Sequence, residues 1–577
     1  MRKSISDETN IERIEHKSKK NIALGTIFGY LAILISVAYG IFMTPEIIRT
    51  VGDSEYGLYG LSSSIVNIFL LDFGLSVAIN TYLAKLRANN DKAGVEKFLA
   101  SIFKIYLWLD IFFILVIGVL VFSAPYVFSQ TYGNPATFEV TPQIRTLQYL
   151  FIIVGGYTII SLPSSCFNGV IQTYEKFSYV KLMDMLHKTL YLVFSILSIQ
   201  LRWEINGSGI IPIVLINVSA ALFAILLRFV YMRTYLNIRL DLRLSITKEE
   251  KKQVFKFSAW GFVAAICNRL AFNITPFILS IVSNDHAVAV FSLVTTLELY
   301  IFTFGEIITQ FFVAKVARTE ANVSEEEQRK RIQALGEKFG KLQLVIIGLI
   351  YLGFLSVGQE FIMFWLKDEK YMIIYWCIMA ICSYEIFHMP SIIFENSMLI
   401  HGYIKPLGII AVVKAAVNLS LSFLLSYLFT RWYANMYFGA GALGAAIAVL
   451  CGRVTYMILD FVCFKKYLKI SISHFFKSVY GRAIFTMVIS LAIGLGLHFL
   501  NVIPYNWLKF LVNGFVFVGV YFLCTIFITF NKEERGYYVG VLMELLHIKK
   551  KNKAVTPEGE AIEIEENKEV ENKEEEE

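Results

Sequence analysis

Charge is scarce in this chain. Asp, Glu, Lys and Arg make up 17% of its 577 residues against 56% apolar ones, and the mean hydropathy is +0.59. That leaves too little polar surface for a soluble protein of this length. Cysteine is equally scarce, and Cys166, Cys267, Cys377, Cys382, Cys451, Cys463 and Cys524 all fall within apolar runs. No external disulfide framework is expected, and the seven read as packing residues. No cleavable signal peptide is expected either, because the charged segment 1–21 leads straight into a full-length apolar run. Long polar loops are absent as well. The longest internal ones, 233–255 and 314–340, are short and charge-rich, so an enzyme would have to work within the bilayer.

What is there is one apolar run after another. About 20 such residues cross the hydrocarbon as a helix. The runs predict an all-α polytopic membrane protein with about fourteen spans, at 22–44, 57–79, 101–123, 145–168, 183–201, 209–232, 256–281, 287–313, 341–365, 372–399, 406–430, 440–464, 483–501 and 508–530. Alternate loops are basic, for example Lys85 to Lys97, Arg233 to Lys252, Arg318 to Arg331 and Lys465 to Lys469. The loops between them hold few cations, chiefly Arg49, Arg202, Lys367, Lys370 and Arg431. Basic loops stay cytoplasmic, so both termini are expected inside and the net charge of +7 reflects topology, with no nucleic-acid partner implied. Beyond Asn531 an amphipathic stretch, EERGYYVGVLMELLHIKKK, gives way to a Glu/Lys-rich end too poor in apolar residues to fold.

The run from Thr44 to Ser76, TPEIIRTVGDSEYGLYGLSSSIVNIFLLDFGLS, joins spans 1 and 2 through a polar turn. Slid forward without a gap, its Thr44, Pro45, Ile47, Val51, Phe73 and Gly74 fall on Thr275, Pro276, Ile278, Val282, Phe304 and Gly305. Two bundles related by an axis along the membrane normal leave such an echo. The expected organisation is a cytoplasmic segment 1–21, a first lobe 22–232, a linker 233–255 and a second lobe 256–464. Spans 13 and 14 over 483–530 form an appendage, followed by the tail 531–577.

The Pro-Glu-Ile-Ile-Arg-Thr-Val-Gly-Asp-Ser-Glu-Tyr-Gly-Leu-Tyr-Gly turn, the Leu-Leu-Asp-Phe-Gly-Leu-Ser that follows and the later GQEFIMFW of Gly358 to Trp365 resemble the Wzx-type polysaccharide (O-antigen) flippases. These share a superfamily with multidrug and toxin extrusion transporters and lipid II flippases. The likeness in organisation runs over roughly residues 20–530. It implies two six-helix lobes that export an undecaprenyl-pyrophosphate-linked oligosaccharide by alternating access, in a bacterial-type inner membrane, alongside glycosyltransferases and a glycan polymerase. Lipid II flippases carry arginines in the early helices of both lobes, whereas here the middle of span 1 is uncharged and Arg49 sits at its outer end. Another lipid-linked glycan is therefore favoured.

Such a cargo needs cations in the cavity, and cations within spans are costly enough to mark function. The candidates are Arg269, Arg453 and Lys414, all in the second lobe, with Asn273 one turn after Arg269. A guanidinium donates two parallel hydrogen bonds to phosphate oxygens. The structural alternative pairs these cations with buried acids, and Lys414 can snorkel to the cytoplasmic face. The in-span acids are Asp72, Asp110, Glu298, Glu306, Glu385 and Glu395. Glu298 and Glu385, with Asp110, are the candidate sites for a coupling H+ or Na+. Glu385 and His388 share a helix face, but without a second copy of the pattern no metal and no cofactor is expected. Pro45, Pro163, Pro276 and Pro390 free backbone carbonyls, and Arg49, Pro45 and Pro276 are the candidate gate and hinge. A drug/cation antiporter of the same fold would show a more acidic cavity. A membrane glycan polymerase would need a large outward loop rich in Arg and His, which this chain lacks.

Overall fold

The computed structural model describes residues 27–69, 91–174, 176–245, 259–319, 325–433, 439–500 and 506–532, with a few isolated positions besides. Asp72, the side chain of Glu306 and the tail from 537 onward lie outside the described residues. The described chain is helical, without strands. In a bilayer core every backbone N–H and C=O must be satisfied within the protein, and a helix does so within one segment.

Each expected span corresponds to a helix. They are α1 (Ile27–Val51), α2 (Asp53–Phe69), α3 (Lys92–Val127), α4 (Pro142–Thr173), α5 (Phe177–Gln200), α6 (Ile210–Thr234), α7 (Ala259–Val282) and α8 (Asp285–Thr319). There follow α9 (Glu325–Leu366), α10 (Glu369–Ile400), α11 (Ile404–Tyr433), α12 (Ala440–Leu468), α13 (Ala483–Leu500) and α14 (Trp507–Thr529). Twelve of the described helices are long and apolar enough to cross a membrane. A thirteenth counts if the short helix Ile472–Tyr480 and α13, bent by 44°, form one span. The expected number of fourteen is not reached, because the described part of α2 stops at Phe69. The protein is a multi-pass membrane protein.

Several helices outrun the spans expected of them. α8 continues to Thr319 and α9 starts at Glu325, so the expected loop 314–340 is mostly helix. Pairs one turn apart, Glu326 with Lys330 and Glu327 with Arg331, support the polar first turns of α9. α1 ends at Val51 and α7 at Val282, and new helices begin at Asp53 and Asp285. The two helix ends, Val51 and Val282, keep the offset that sets Thr44 on Thr275, and the two helix starts, Asp53 and Asp285, depart from it by one residue. The repeat seen in the sequence thus coincides with matching helix breaks.

Proline inside a helix leaves the carbonyl four residues earlier without its N–H, and here that carbonyl repeatedly finds a side chain. Pro45 frees the Ile41 carbonyl, which accepts from Trp365 Nε1 at 2.9 Å, beside a π turn over Tyr39–Met43. Pro125 frees Val121, bonded by Gln148 Nε2 at 2.8 Å. Pro390 frees Ile386, bonded by the Tyr480 hydroxyl at 2.8 Å. Pro276 lies inside α7, which stays continuous. The appended pair packs on α9. Glu360 of α9 lies 2.6 Å from His498 and 3.3 Å from Lys509, and the Tyr521 hydroxyl donates to the Val345 carbonyl at 2.9 Å.

Candidate functional site

A cavity of about 710 Å³ opens among α7, α8, α10, α11 and α12, lined by Arg269, Glu298, Glu385, His388, Lys414 and Arg453 among others. Close helix packing builds its back wall. A Cβ on Gly444 would stand 2.4 Å from the Leu425 carbonyl oxygen, and one on Gly452 3.2 Å from Asn418 Cβ, so only glycine lets α12 lie this near α11. The helical hydrogen-bond ladder of α10 slips at Tyr384, immediately before Glu385.

Arg453 is 9% exposed and donates to Glu298, and at 3.5 Å to Glu385. His388 lies between two acids, with Nδ1 3.2 Å from Glu385 and Nε2 3.5 Å from Glu395. The Tyr456 hydroxyl donates to Glu395 at 3.0 Å. Lys414 donates to Asn268 Oδ1 at 3.2 Å and stands over the Tyr456 ring, 4.5 Å from its centroid. These residues form one network of ion pairs and hydrogen bonds across five helices, in which a charge left alone would be severely destabilised.

The expected site residues therefore divide. Arg453, expected to bind cargo, is neutralised by Glu298 and Glu385, the two expected coupling acids, so cation and acids form one unit. Lys414 faces the cavity and does not run to a helix end, because Asn268 and the Tyr456 face hold its ammonium. Asn273 lines the cavity while its amide donates back to the Arg269 carbonyl at 3.0 Å. Arg269 forms no ion pair among the described residues; its guanidinium donates only to the Asn67 carbonyl of α2, at 3.4 Å. Asp110 is buried on α3, lines neither this cavity nor the one below, and has no hydrogen-bond partner for either oxygen among the described residues. Arg49 pairs with Glu46 of its own helix at 3.6 Å.

The contact between halves at this end runs through other residues of the same motif. Asp53 opens α2 and pairs with Lys370 at 2.8 Å, with His286 Nδ1 at 3.1 Å and with the Tyr371 hydroxyl. Behind it, a Cβ on Gly57 would meet the backbone of Asp285 and Ala289 at 3.3 Å, and one on Gly60 would fall 2.0 Å from Ser292 Oγ. The Gly-Leu-Tyr-Gly run is where α2 lies against α8. Glu55 turns the other way, accepting from Ser208 Oγ at 3.0 Å and from the Ile210 amide at 3.1 Å at the start of α6. Burial alone would raise the Asp53 pKa. The hydrogen bonds from His286, Lys370 and Tyr371 outweigh it and hold Asp53 well below the usual carboxylate range. A group depressed in the closed state favours closure above its open-state pKa and loses that effect only as pH falls through the lower value. Asp53 is thus expected to contribute equally to closure between pH 7 and about pH 5, as read in a His286→Gln background by the distance between spin labels on α2 and α8.

The family model described as "Polysaccharide biosynthesis protein" matches residues 22–310. The chain belongs to the polysaccharide biosynthesis protein family. The match includes Asp53 and His286 and reaches Arg269 and Glu298, while Lys370, Tyr371, Glu385, Lys414 and Arg453 lie beyond it. No curated protein matches the chain. Among solved structures, the lipid II flippase MurJ in an inward closed conformation is similar at 13% identity and TM-score 0.64, over 91% of this chain and 99% of that one. An inward-facing multidrug resistance MATE family transporter of the MOP superfamily is 13% identical at TM-score 0.55, covering 76% and 98%. An outward-facing one is 14% identical at 0.54, covering 78% and 96%. This family member therefore has the fold of those transporters.

A second cavity, of about 310 Å³, adjoins the first, since Leu299 of α8 lines both. It lies mainly in the first half of this family member, where the sequence reading placed no in-span cation. Lys188 lines it from the middle of α5, and Arg228 of α6 pairs with Asp184 nearby. Both sit inside expected spans, and their charge in an apolar run was the available signal. Asp53 and Lys370 were also missed, because each stands at a helix end where charge is ordinary.

Proposed function

We propose that this protein is a flippase for a lipid-linked oligosaccharide, carrying an undecaprenyl-diphosphate-linked glycan across the cytoplasmic membrane by alternating access for surface polysaccharide synthesis. The family and the fold support it, and one observation carries it: Arg269 faces a large cavity with no acid to neutralise it among the described residues. A diphosphate supplies the missing negative charge through charge-assisted hydrogen bonds. The Asp53 contact then closes the outward end, and the carboxylates around Arg453 and His388 take and release the coupling H+ or Na+. The lipid tail stays in the bilayer beside the bundle, and the role is transport without catalysis. Glycosyltransferases supplying the cargo and a polymerase consuming it are the fitting partners.

Arg269→Ala is expected to weaken cargo binding about ten- to hundredfold, the worth of a hydrogen bond to a charged group. Lipid-linked oligosaccharide would then accumulate on the cytoplasmic face of cells. Unchanged export would remove Arg269 from the site. Glu298, Glu385 and Glu395 on the cavity wall favour one second reading, an organic cation antiporter. Efflux of a lipophilic dye cation by the purified protein in vesicles, with no movement of lipid-linked sugar, would establish that reading instead.

A further inference from the structure

The smaller cavity has the chemistry of a saccharide subsite. Tyr39, Tyr56, Tyr59 and Tyr191 wall it from the first half, and Tyr300 closes it from the second. Tyr39 and Tyr191 stack at 4.3 Å and share a hydrogen bond of 2.6 Å between their hydroxyls. Tyr300 donates to the Ser36 carbonyl at 3.0 Å and fits only because Gly40 has no Cβ, which would lie 2.4 Å from its hydroxyl. Asn217, held 3.0 Å from His187, adds an amide to the wall. Ring faces take the C–H surface of a pyranose, while hydroxyls and an amide take its OH groups.

One further group is charged. Lys188 enters this cavity and makes no ion pair or hydrogen bond among the described residues. Asp184, one turn before it, is engaged by Arg228 and, at 3.8 Å, by Lys181. The cavity therefore holds one amine able to carry a positive charge among neutral tyrosines. A single ammonium matches a monoanion, whereas the diphosphate has Arg269 in the larger cavity next door.

Resting on the flippase reading, we propose that the tyrosine cavity is the glycan subsite, and that Lys188 selects an acidic sugar by pairing with a uronate carboxylate. Because Tyr300 belongs to α8 and the other rings to the first half, a sugar seated here touches both halves at once.

The test uses two probes, farnesyl diphosphate carrying a glucosyl-glucose or a glucuronyl-glucose disaccharide, titrated against the purified full chain. The native protein is expected to bind the acidic probe about ten- to hundredfold more tightly. Lys188→Gln should erase that preference while keeping the affinity for the neutral probe, and Lys188→Arg should keep the preference. Tyr191→Ala should weaken both probes. Equal binding of the two probes by the native protein, or a preference surviving in Lys188→Gln, would overturn the assignment and leave the flippase reading intact. Equal loss of both probes in Lys188→Gln would place Lys188 on the diphosphate and overturn it as well. Failure of the native protein to bind either probe would overturn the flippase reading and this subsite with it.

Discussion

Arg453→Met is expected to abolish transport and to destabilise the protein by about 3–5 kcal/mol, the cost of stranding buried charge by removing its partner. Glu298 and Glu385 both rely on that guanidinium, and both are less than a tenth exposed. Lys414 reaches neither by an ion pair among the described residues; its ammonium is held by Asn268 and the face of Tyr456. Thermal unfolding in detergent reads the effect. Adding Glu298→Gln to Arg453→Met should recover much of the stability, since a neutral amide no longer needs the cation, but it should not restore transport if the acid exchanges the coupling ion. Full native stability in Arg453→Met alone would show that the pairing is dispensable.

Gly60→Val should leave each half folded and stop the two from closing. The Cβ alone would stand 2.0 Å from Ser292 Oγ and 2.6 Å from its Cβ, and the methyls of valine reach further. Ser292 is 5% exposed with its hydroxyl bonded to the Val288 carbonyl, so it has little room to withdraw. The cost falls on the contact between α2 and α8, and the expected result is near-complete loss of export at normal protein levels. Spin labels on α2 and α8 should report a wider separation. Ser292→Gly in the same chain should restore closure, whereas a native distance in Gly60→Val would remove this contact from the gate.

The helical bundle was legible because the bilayer imposes it. A run such as 341–365 has few structures available to it in hydrocarbon, and α9 contains it. What was not legible was where α9 begins, since the charged turns before the run are helical through pairs such as Glu327 with Arg331 that obey no rule of hydropathy. The site divides along similar lines. Arg269, Glu298, Glu385, Lys414 and Arg453 were each visible as charges in apolar runs, and the fold gathers all five around one cavity. Which of them neutralise one another depends on the approach of α8, α10 and α12, and spacing along a single chain carries no trace of that. Asp53 shows the same limit from the other side. Its motif was conspicuous, but its partner Lys370 lies in the other half of the chain and looked like an ordinary loop cation.

The tryptophan bound to the freed Ile41 carbonyl ties two motions together. Its indole belongs to α9, in the other half of the molecule from the π turn in α1. In the proposed cycle the halves part, and that carbonyl then loses its donor beside the apolar core, so α1 must rewind or admit water to satisfy it. The winding of the first helix is thus geared to the gap between the halves, so a substitution that stiffens one will register in the other.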